Sequence, residues 1–301
     1  MAFSNKNHKK AFSLIEISVV IVIIGILISG ISSGIDLYSD FRITSARSLT
    51  LGSKVPRIDG LVAWWETTLE KSFDKNEAIN GVKITNWYDA NPLSLNKITL
   101  TQSNSANKAT FKANSINSLP AISFDGSNKY ITNNIFAESF TLIVVLASNS
   151  LGAGTSSSQA YLNTVIIGAD YPGSANDIIP LALGDGNLKM FTGTDGSETT
   201  LISNSKIKTG TPYIVSASRN FEDGTRKIMI NNSNIVSDKL GGAGLFLKAS
   251  SLAGIGADAN DWNTNLYNGN IAEIIVYNKI LNISDIDIIH KYLSKKYSIK
   301  L

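Results

Sequence analysis

The sequence predicts a mainly β protein: a long N-terminal α-helix, transmembrane then amphipathic, an antiparallel two-sheet sandwich or jelly roll, and a short C-terminal helix. Three observations predict it. A charge-free apolar run covers residues 17–35, about 28 Å at 1.5 Å per residue, close to the thickness of a bilayer core. From Val62 onward, short runs rich in Ile, Val, Phe and Tyr are broken by turn pairs. After Ser284 the apolar spacing becomes helical again.

The apolar run begins behind a basic leader. Lys6, His8, Lys9 and Lys10 precede it and Asp36 and Asp40 follow, so the positive-inside rule keeps the leader cytoplasmic and exports the rest. Glu16 is the unusual residue, since a carboxylate beside the apolar stretch of a lone anchor is costly to bury without a partner. An ordinary signal anchor does not need it. A cleaved secretory signal would have a shorter apolar run and a small-x-small site after it. A free amine four residues upstream would pair with Glu16, and a cut between Ala11 and Phe12 creates one. In a stack of subunits the Glu16 carboxylate would meet the terminal amine of a neighbour, in a setting dry enough for the pair to matter.

Ala11-Phe12-Ser13-Leu14-Ile15-Glu16, with the run from Val20 to Leu27, resembles the N-terminus of type IV pilins and of the pseudopilins of type II secretion. The resemblance implies cleavage after Ala11 by a prepilin peptidase, methylation of the Phe12 amine, and assembly with other pilin or pseudopilin subunits through the helix. Two positions depart from the pattern. Ala11 stands where the family usually has Gly, and Ser33 where many major pilins carry a helix-kinking Pro, which favours a minor or pilin-like subunit.

Helical spacing continues through Leu37, Tyr38, Phe41, Ser45 and Leu49 among charged residues, and Gly52 and Pro56 stop it. The expected organisation is a leader at 1–11, a pilin-like helix at 12–54 with its anchor at about 14–35, and a head at 55–301. A head of that size buries a core without disulfides, as the absence of cysteine requires. A net charge of +3 gives no electrostatic case for nucleic acid.

In the head, Asn80-Gly81, Asp125-Gly126, Asp185-Gly186, Asp195-Gly196, Asp223-Gly224 and Asn268-Gly269 are expected as tight turns. Residues 139–146, 213–218, 226–230 and 271–277 read as strands, and 102–107 and 152–159 as surface loops. Ser284 is the expected N-cap of the last helix. Ile286, Ile289, Leu293 and Tyr297 form its apolar face, and Lys295 and Lys296 suit the negative end of its dipole. The stretch from Gly269 to Leu281 with this helix, Leu61-Val62-Ala63-Trp64-Trp65, and Leu119-Pro120-Ala121-Ile122-Ser123-Phe124-Asp125-Gly126 are similar to laminin-G-like, concanavalin A-like domains of bacterial surface proteins. That resemblance implies a two-sheet jelly roll binding carbohydrate or extracellular matrix.

Little in the head suggests catalysis. His290 is the only base for a seryl triad, and on the terminal helix it reads as a surface or boundary residue. Glu66 and Glu70 read as solvated charges, and Glu273 as a structural hydrogen-bonding group. Calcium is a candidate cofactor at Asp258, Asn260 and Asp261, a cluster of oxygen ligands, and Asp170 with Asn176 and Asp177 is a second such cluster. Trp262 and Tyr267 beside the first cluster offer aromatic faces to a sugar ring. Trp64 and Trp65 divide between the core and the seam with the long helix.

The functional expectation is a minor pilin displaying a glycan- or surface-binding head, placed in the bacterial inner membrane and then on a surface filament. The alternatives are a structural pseudopilin-like subunit of a secretion or DNA-uptake machine, with a head that contacts only protein, and, last, a membrane-anchored glycan hydrolase. Mass spectrometry of the N-terminal peptide from cells with the peptidase should find a product starting at N-methylated Phe12. A mature protein that keeps residues 1–11 removes the pilin reading.

Overall fold

The computed structural model describes residues 14–154, 162–170, 178–194, 197–246, 251–259 and 265–301. The chain divides into two units, 1–44 and 45–301. The first helix, α1, spans Leu14–Leu51, and its window Leu14–Ile31 is long and apolar enough to cross a membrane. Residues 45–51 belong to the second unit, so the head begins before the expected boundary at 54–55.

The strands of the head, in chain order, are β1 (Leu61–Glu66), β2 (Asn86–Trp87), β3 (Leu100–Thr101), β4 (Thr110–Ile116), β5 (Leu119–Asp125), β6 (Tyr130–Asn133), β7 (Phe140–Ser148) and β8 (Thr164–Gly168). There follow β9 (Ile178–Gly184), β10 (Asn187–Thr194), β11 (Ser197–Lys206), β12 (Pro212–Arg219), β13 (Arg226–Ile230), β14 (Ser233–Asp238), β15 (Leu252–Ile255) and β16 (Asn268–Tyr277). A second helix, α2 (Ile283–Tyr297), closes the chain.

Among the described residues these strands form two antiparallel eight-stranded sheets. One runs β14-β13-β12-β7-β16-β5-β4 with β1 also on β16, and the other runs β11-β10-β9-β8-β15-β6-β3-β2. β16 is the axis of the first sheet. β7 pairs with nearly its whole length, while its other edge is shared: β5 takes residues 268–271 and β1 takes 273–277. The core between the sheets follows the two-residue period of the strands. Phe140, Leu142, Val144 and Leu146 of β7 point into it with Ile274 and Val276 of β16 and Trp65 of β1. At one edge the buried guanidinium of Arg226 joins the two sheets. It forms a bidentate pair with Asp238 of β14 and donates to Thr192 of β10 and the Thr199 carbonyl of β11.

The strands predicted at 139–146, 213–218, 226–230 and 271–277 are β7, β12, β13 and β16. Of the expected turns, Asp185-Gly186 joins β9 to β10 with both residues at positive φ, as its composition requires. Asn268-Gly269 is a correction: it opens β16. A side chain at Gly269 would come within 2.8 Å of the Ala147 carbonyl on β7, so glycine is there for close strand approach. Asp195-Gly196 lies outside the described residues, as does most of the 152–159 loop.

α2 is capped by Asn282, whose side chain accepts the Asp285 amide, and Ser284 lies inside the helix. Asn282 has the extended backbone that an N-cap needs. Ile286, Ile289, Leu293 and Tyr297 are buried as expected, and Lys296 is buried with them. Lys296 lies three residues after Leu293 and seven after Ile289, on the same stripe. Its Nζ donates to Glu66 Oε2 at 2.8 Å and Glu273 Oε2 at 2.8 Å, with the Tyr292 hydroxyl at 3.2 Å. The Lys296, Glu66 and Glu273 side chains are all without solvent exposure. Lys295 and Lys296 both stand in the last turn as expected, and the stripe carries Lys296 into the seam.

Glu66 and Glu273 take up their remaining lone pairs. The Thr68 and Leu69 amides and the Thr68 and Ser72 hydroxyls donate to Glu66. Trp64 Nε1 donates to Glu273 at 2.7 Å, and the Tyr292 and Tyr297 hydroxyls donate at 2.9 Å each. Replacing Lys296 by Ala leaves two buried carboxyls without their cation. Urea unfolding of the purified chain in detergent should show a loss of about 3–5 kcal/mol; a loss under about 1 kcal/mol shows that the network holds little.

Candidate functional site

In the first unit Glu16 stands in the first turn of α1, where the positive end of the helix dipole favours a carboxylate. The apolar side chains of Leu14–Ile31 face outward along it. Ala11 and Phe12 lie outside the described residues.

In the head the expected ligand-contacting residues separate. Tyr267 is fully buried and its ring lies 6.1 Å from that of Phe124 in the core, so it does not present a face to a sugar. That expectation is corrected. The physical reason is its place just before β16, in a segment bonded to Val165 of β8 and to Gly256, with its ring packed on Phe124. Asp258 is also buried, and its Oδ1 accepts the Asp170 amide at 3.1 Å. Thus the loop after β15 meets the end of β8, bringing together one residue from each expected calcium cluster. Asn260, Asp261 and Trp262, and Asn176 and Asp177 of the second cluster, lie outside the described residues. Among the described residues no three His, Asp or Glu side chains converge as a metal site.

The acidic residues weighed for catalysis are placed differently from their expectation in one case. Glu70 is exposed and pairs with Arg47 at 3.0 Å, as a solvated charge. Glu66 is not solvated; it is buried against Lys296. Burial alone would raise its carboxyl, but the Lys296 ammonium and the Ser72 and Thr68 donors hold it below the usual carboxylate range. Lys296 is held above its ordinary value: burial opposes the charge, and Glu273 and Glu66 outweigh burial. Glu273 plays the structural part expected of it. Trp65 is in the core, while Trp64 turns its edge to Tyr292 of α2, so the seam it fills is with the terminal helix.

His290 is a further correction, since it is fully buried rather than at the boundary. Its Nε2 bonds the Ser216 hydroxyl of β12, under α2. Neither it nor the Glu66–Lys296–Glu273 group opens to a substrate. Sequence reasoning missed this buried group because each member was judged alone; the signal was the position of Lys296 on the apolar stripe.

The last turns of α1 join the same region. Arg47 Nε donates to the Thr68 carbonyl at 2.8 Å, and Thr50 Oγ1 lies 3.2 Å from the Tyr292 hydroxyl. Beside them opens a cleft of about 620 Å³ with Leu51, Leu69 and Pro92 as apolar lining and Arg47, Lys71 and Lys97 as cations. Leu93 and Leu95 are exposed on the adjacent loop.

The family match lies within the first unit. Residues 6–32 match the prokaryotic N-terminal methylation motif, the type IV prepilin signature. No curated protein sequence matches the chain. The head is similar in fold to domain 4 of an extracellular arabinanase from Geobacillus stearothermophilus, solved with arabinotriose: 19% identity, TM-score 0.52, 76% of this chain and 97% of that one. It is also similar to a botulinum neurotoxin type C structure whose cell entry depends on two ganglioside molecules, at 15% identity and TM-score 0.51, covering 80% and 52%. A third likeness is the ligand-binding domain of botulinum neurotoxin serotype D, in complex with N-acetylneuraminic acid, at 17% identity and TM-score 0.50, covering 77% and 51%. The chain thus spans about half the length of each toxin chain. Together these establish a prepilin-type N-terminus joined to a jelly-roll head.

The buried histidine generates a pH dependence. Burial lowers the His290 pKa to about 4, with Asp287 nearby opposing the shift. The unfolded chain, near 6.5, therefore takes up the proton first. The His290 contribution is complete above pH 6.5 and is lost as pH falls toward 4, up to about 3 kcal/mol. Denaturation between about pH 7 and 4 should show this slope in the wild type and a flatter one in His290→Gln. Equal slopes place the pH dependence elsewhere.

Proposed function

We propose that the chain is a pilin-like subunit, most simply a minor pilin, of a type IV pilus or related filament, whose jelly-roll head binds a glycan. The observation that carries the reading is the union in one chain of the methylation motif at 6–32 with a head of this fold. Prepilin peptidase cuts between Ala11 and Phe12, the Phe12 amine is methylated, and the Glu16 carboxylate pairs with that amine on a neighbouring subunit. Before assembly α1 sits in the inner membrane with the leader in the cytoplasm and the head in the periplasm; after assembly the head is on the surface filament.

The head binds rather than cleaves. Glu66 and Glu273, which share Lys296, are buried, and the base His290 lies under α2. The arabinotriose and N-acetylneuraminic acid held by two proteins of similar fold support sugar as the ligand class. With Tyr267 in the core, Trp262 is the aromatic of its loop left to meet a sugar, and calcium on Asp258, Asn260 and Asp261 would order that loop. A head that contacts only protein is the second reading, favoured by exposed Leu51, Leu93 and Leu95 around the cleft.

A broad glycan array probed with the purified chain in detergent, first with calcium and then with chelator, tests the reading. Saccharide binding is the expected result, and its loss with chelator assigns the metal a role. A blank array in both conditions shifts the function to the protein-contacting head.

A further inference from the structure

Arg219, the last residue of β12, has no exposed side-chain surface, and it is spent on a loop rather than on the core. Its guanidinium donates to the carbonyls of Gly241, Gly242 and Leu245 at 2.8, 3.0 and 2.8 Å, and to that of Glu138. Residues 241–245, after β14, are thereby folded around one cation. Gly224, Gly242 and Gly244 have positive φ, and a Cβ at Gly224 would stand 2.8 Å from the Ala243 amide nitrogen. The Gly244 amide donates to the Phe221 carbonyl at 2.6 Å, fixing this loop against the turn between β12 and β13. Such a structure satisfies its backbone from within and leaves side chains facing out.

What faces out is apolar. Phe246 is 69% exposed, with its ring 5.0 Å from that of half-buried Phe221, and Leu240 and Leu245 are exposed beside it. Exposed Glu222 and Asp223 follow Phe221 directly in the chain, and Lys239 Nζ lies 3.8 Å from Asp223. Among the described residues these four apolar side chains, one of them half-buried, fall far short of the roughly 800 Å² per partner of a stable protein interface. The carboxylates of Glu222 and Asp223 disfavour an anionic lipid surface. A sugar fits both features, with an apolar ring face for the phenyl pair and hydroxyls for the carboxylates and ammonium around it. The same carboxylates repel an acidic sugar.

We infer that the tip formed by Phe221 and Phe246 is a saccharide contact of the head, taking neutral rather than sialylated sugars. The inference rests on the glycan-binding reading and adds a place and a charge class to it. Arg219 is a positioning residue, holding the loop that presents Phe246.

The test is an array of neutral oligosaccharides and their sialylated counterparts, probed with the full chain in detergent as wild type, Phe246→Ala and Phe246→Trp. The wild type should prefer the neutral members. Phe246→Ala should bind about tenfold more weakly with an unchanged unfolding midpoint, and Phe246→Trp should keep the binding. A wild type that binds sugar while Phe246→Ala binds equally well overturns the tip and leaves the glycan reading standing. A preference for sialylated members overturns the charge class. A wild type that binds no sugar overturns the glycan reading and the tip together.

Discussion

The head is organised around one buried ammonium. Lys296 lies between Glu66 and Glu273 with no side-chain exposure on any of the three, and moving such charges out of water costs several kcal/mol per ion. The group is stable because its hydrogen-bonding capacity is satisfied. Lys296 uses its three protons on Glu66, Glu273 and Tyr292, and the carboxyls accept from Trp64, Thr68, Leu69, Ser72, Tyr292 and Tyr297. Those partners come from β1, the turn after it, β16 and α2. A purely apolar stripe on α2 would pack on the sheet in more than one register. A lysine that must reach both carboxyls allows one.

That register also holds residues 45–51, the part of α1 that belongs to the head. Tyr292, which bonds Lys296 and Glu273, lies beside Thr50, while Arg47 holds the turn that supplies the Thr68 and Leu69 amides to Glu66. Tyr277 of β16 donates to the Val55 carbonyl just past the helix. The last turns of α1 are therefore part of the head's fold and not a linker leading to it. Near the end of the helix Thr50 bonds Tyr292 of α2, and Arg47 bonds the turn after β1.

Much of this was legible in the sequence, and the parts that were not share a cause. Periodicity found β7, β12, β13 and β16, because buried strands impose their own alternation and turn residues mark their ends. It found the apolar stripe of α2. Composition misplaced Glu66 and His290, since a charged or titratable residue is in water by default and only its three-dimensional partners reverse that. Tyr267 failed in the opposite sense. An aromatic in a polar loop looks like a binding platform, yet its ring packs in the core just before β16. Asn268-Gly269 carried turn chemistry but served close strand approach, a requirement invisible without β7. The pairing of Asn231 and Asn232 at positive φ between β13 and β14 shows the reverse, a turn built without glycine.

Two buried cations, Lys296 and Arg219, show how the head divides rigidity from display. Lys296 is surrounded by carboxyls on regular elements, and removing it would disturb the scaffold. Arg219 is surrounded chiefly by backbone carbonyls of a glycine-rich loop. Its planar guanidinium fans donors in fixed directions, so one residue sets the path of several peptide groups. A loop of such glycine content would otherwise sample many conformations, and ordering it on contact would weaken binding. Holding it in advance removes that loss, which is an advantage only where the loop's outward side chains meet something. The neighbouring Arg226, paired with Arg219 across β12 and β13, ties both sheets together at the same edge, so the tip stands beside a link between the sheets. Rigidity of this kind suits recognition of a small ligand by a few contacts better than a broad protein interface, where adaptable side chains and large buried area do the work.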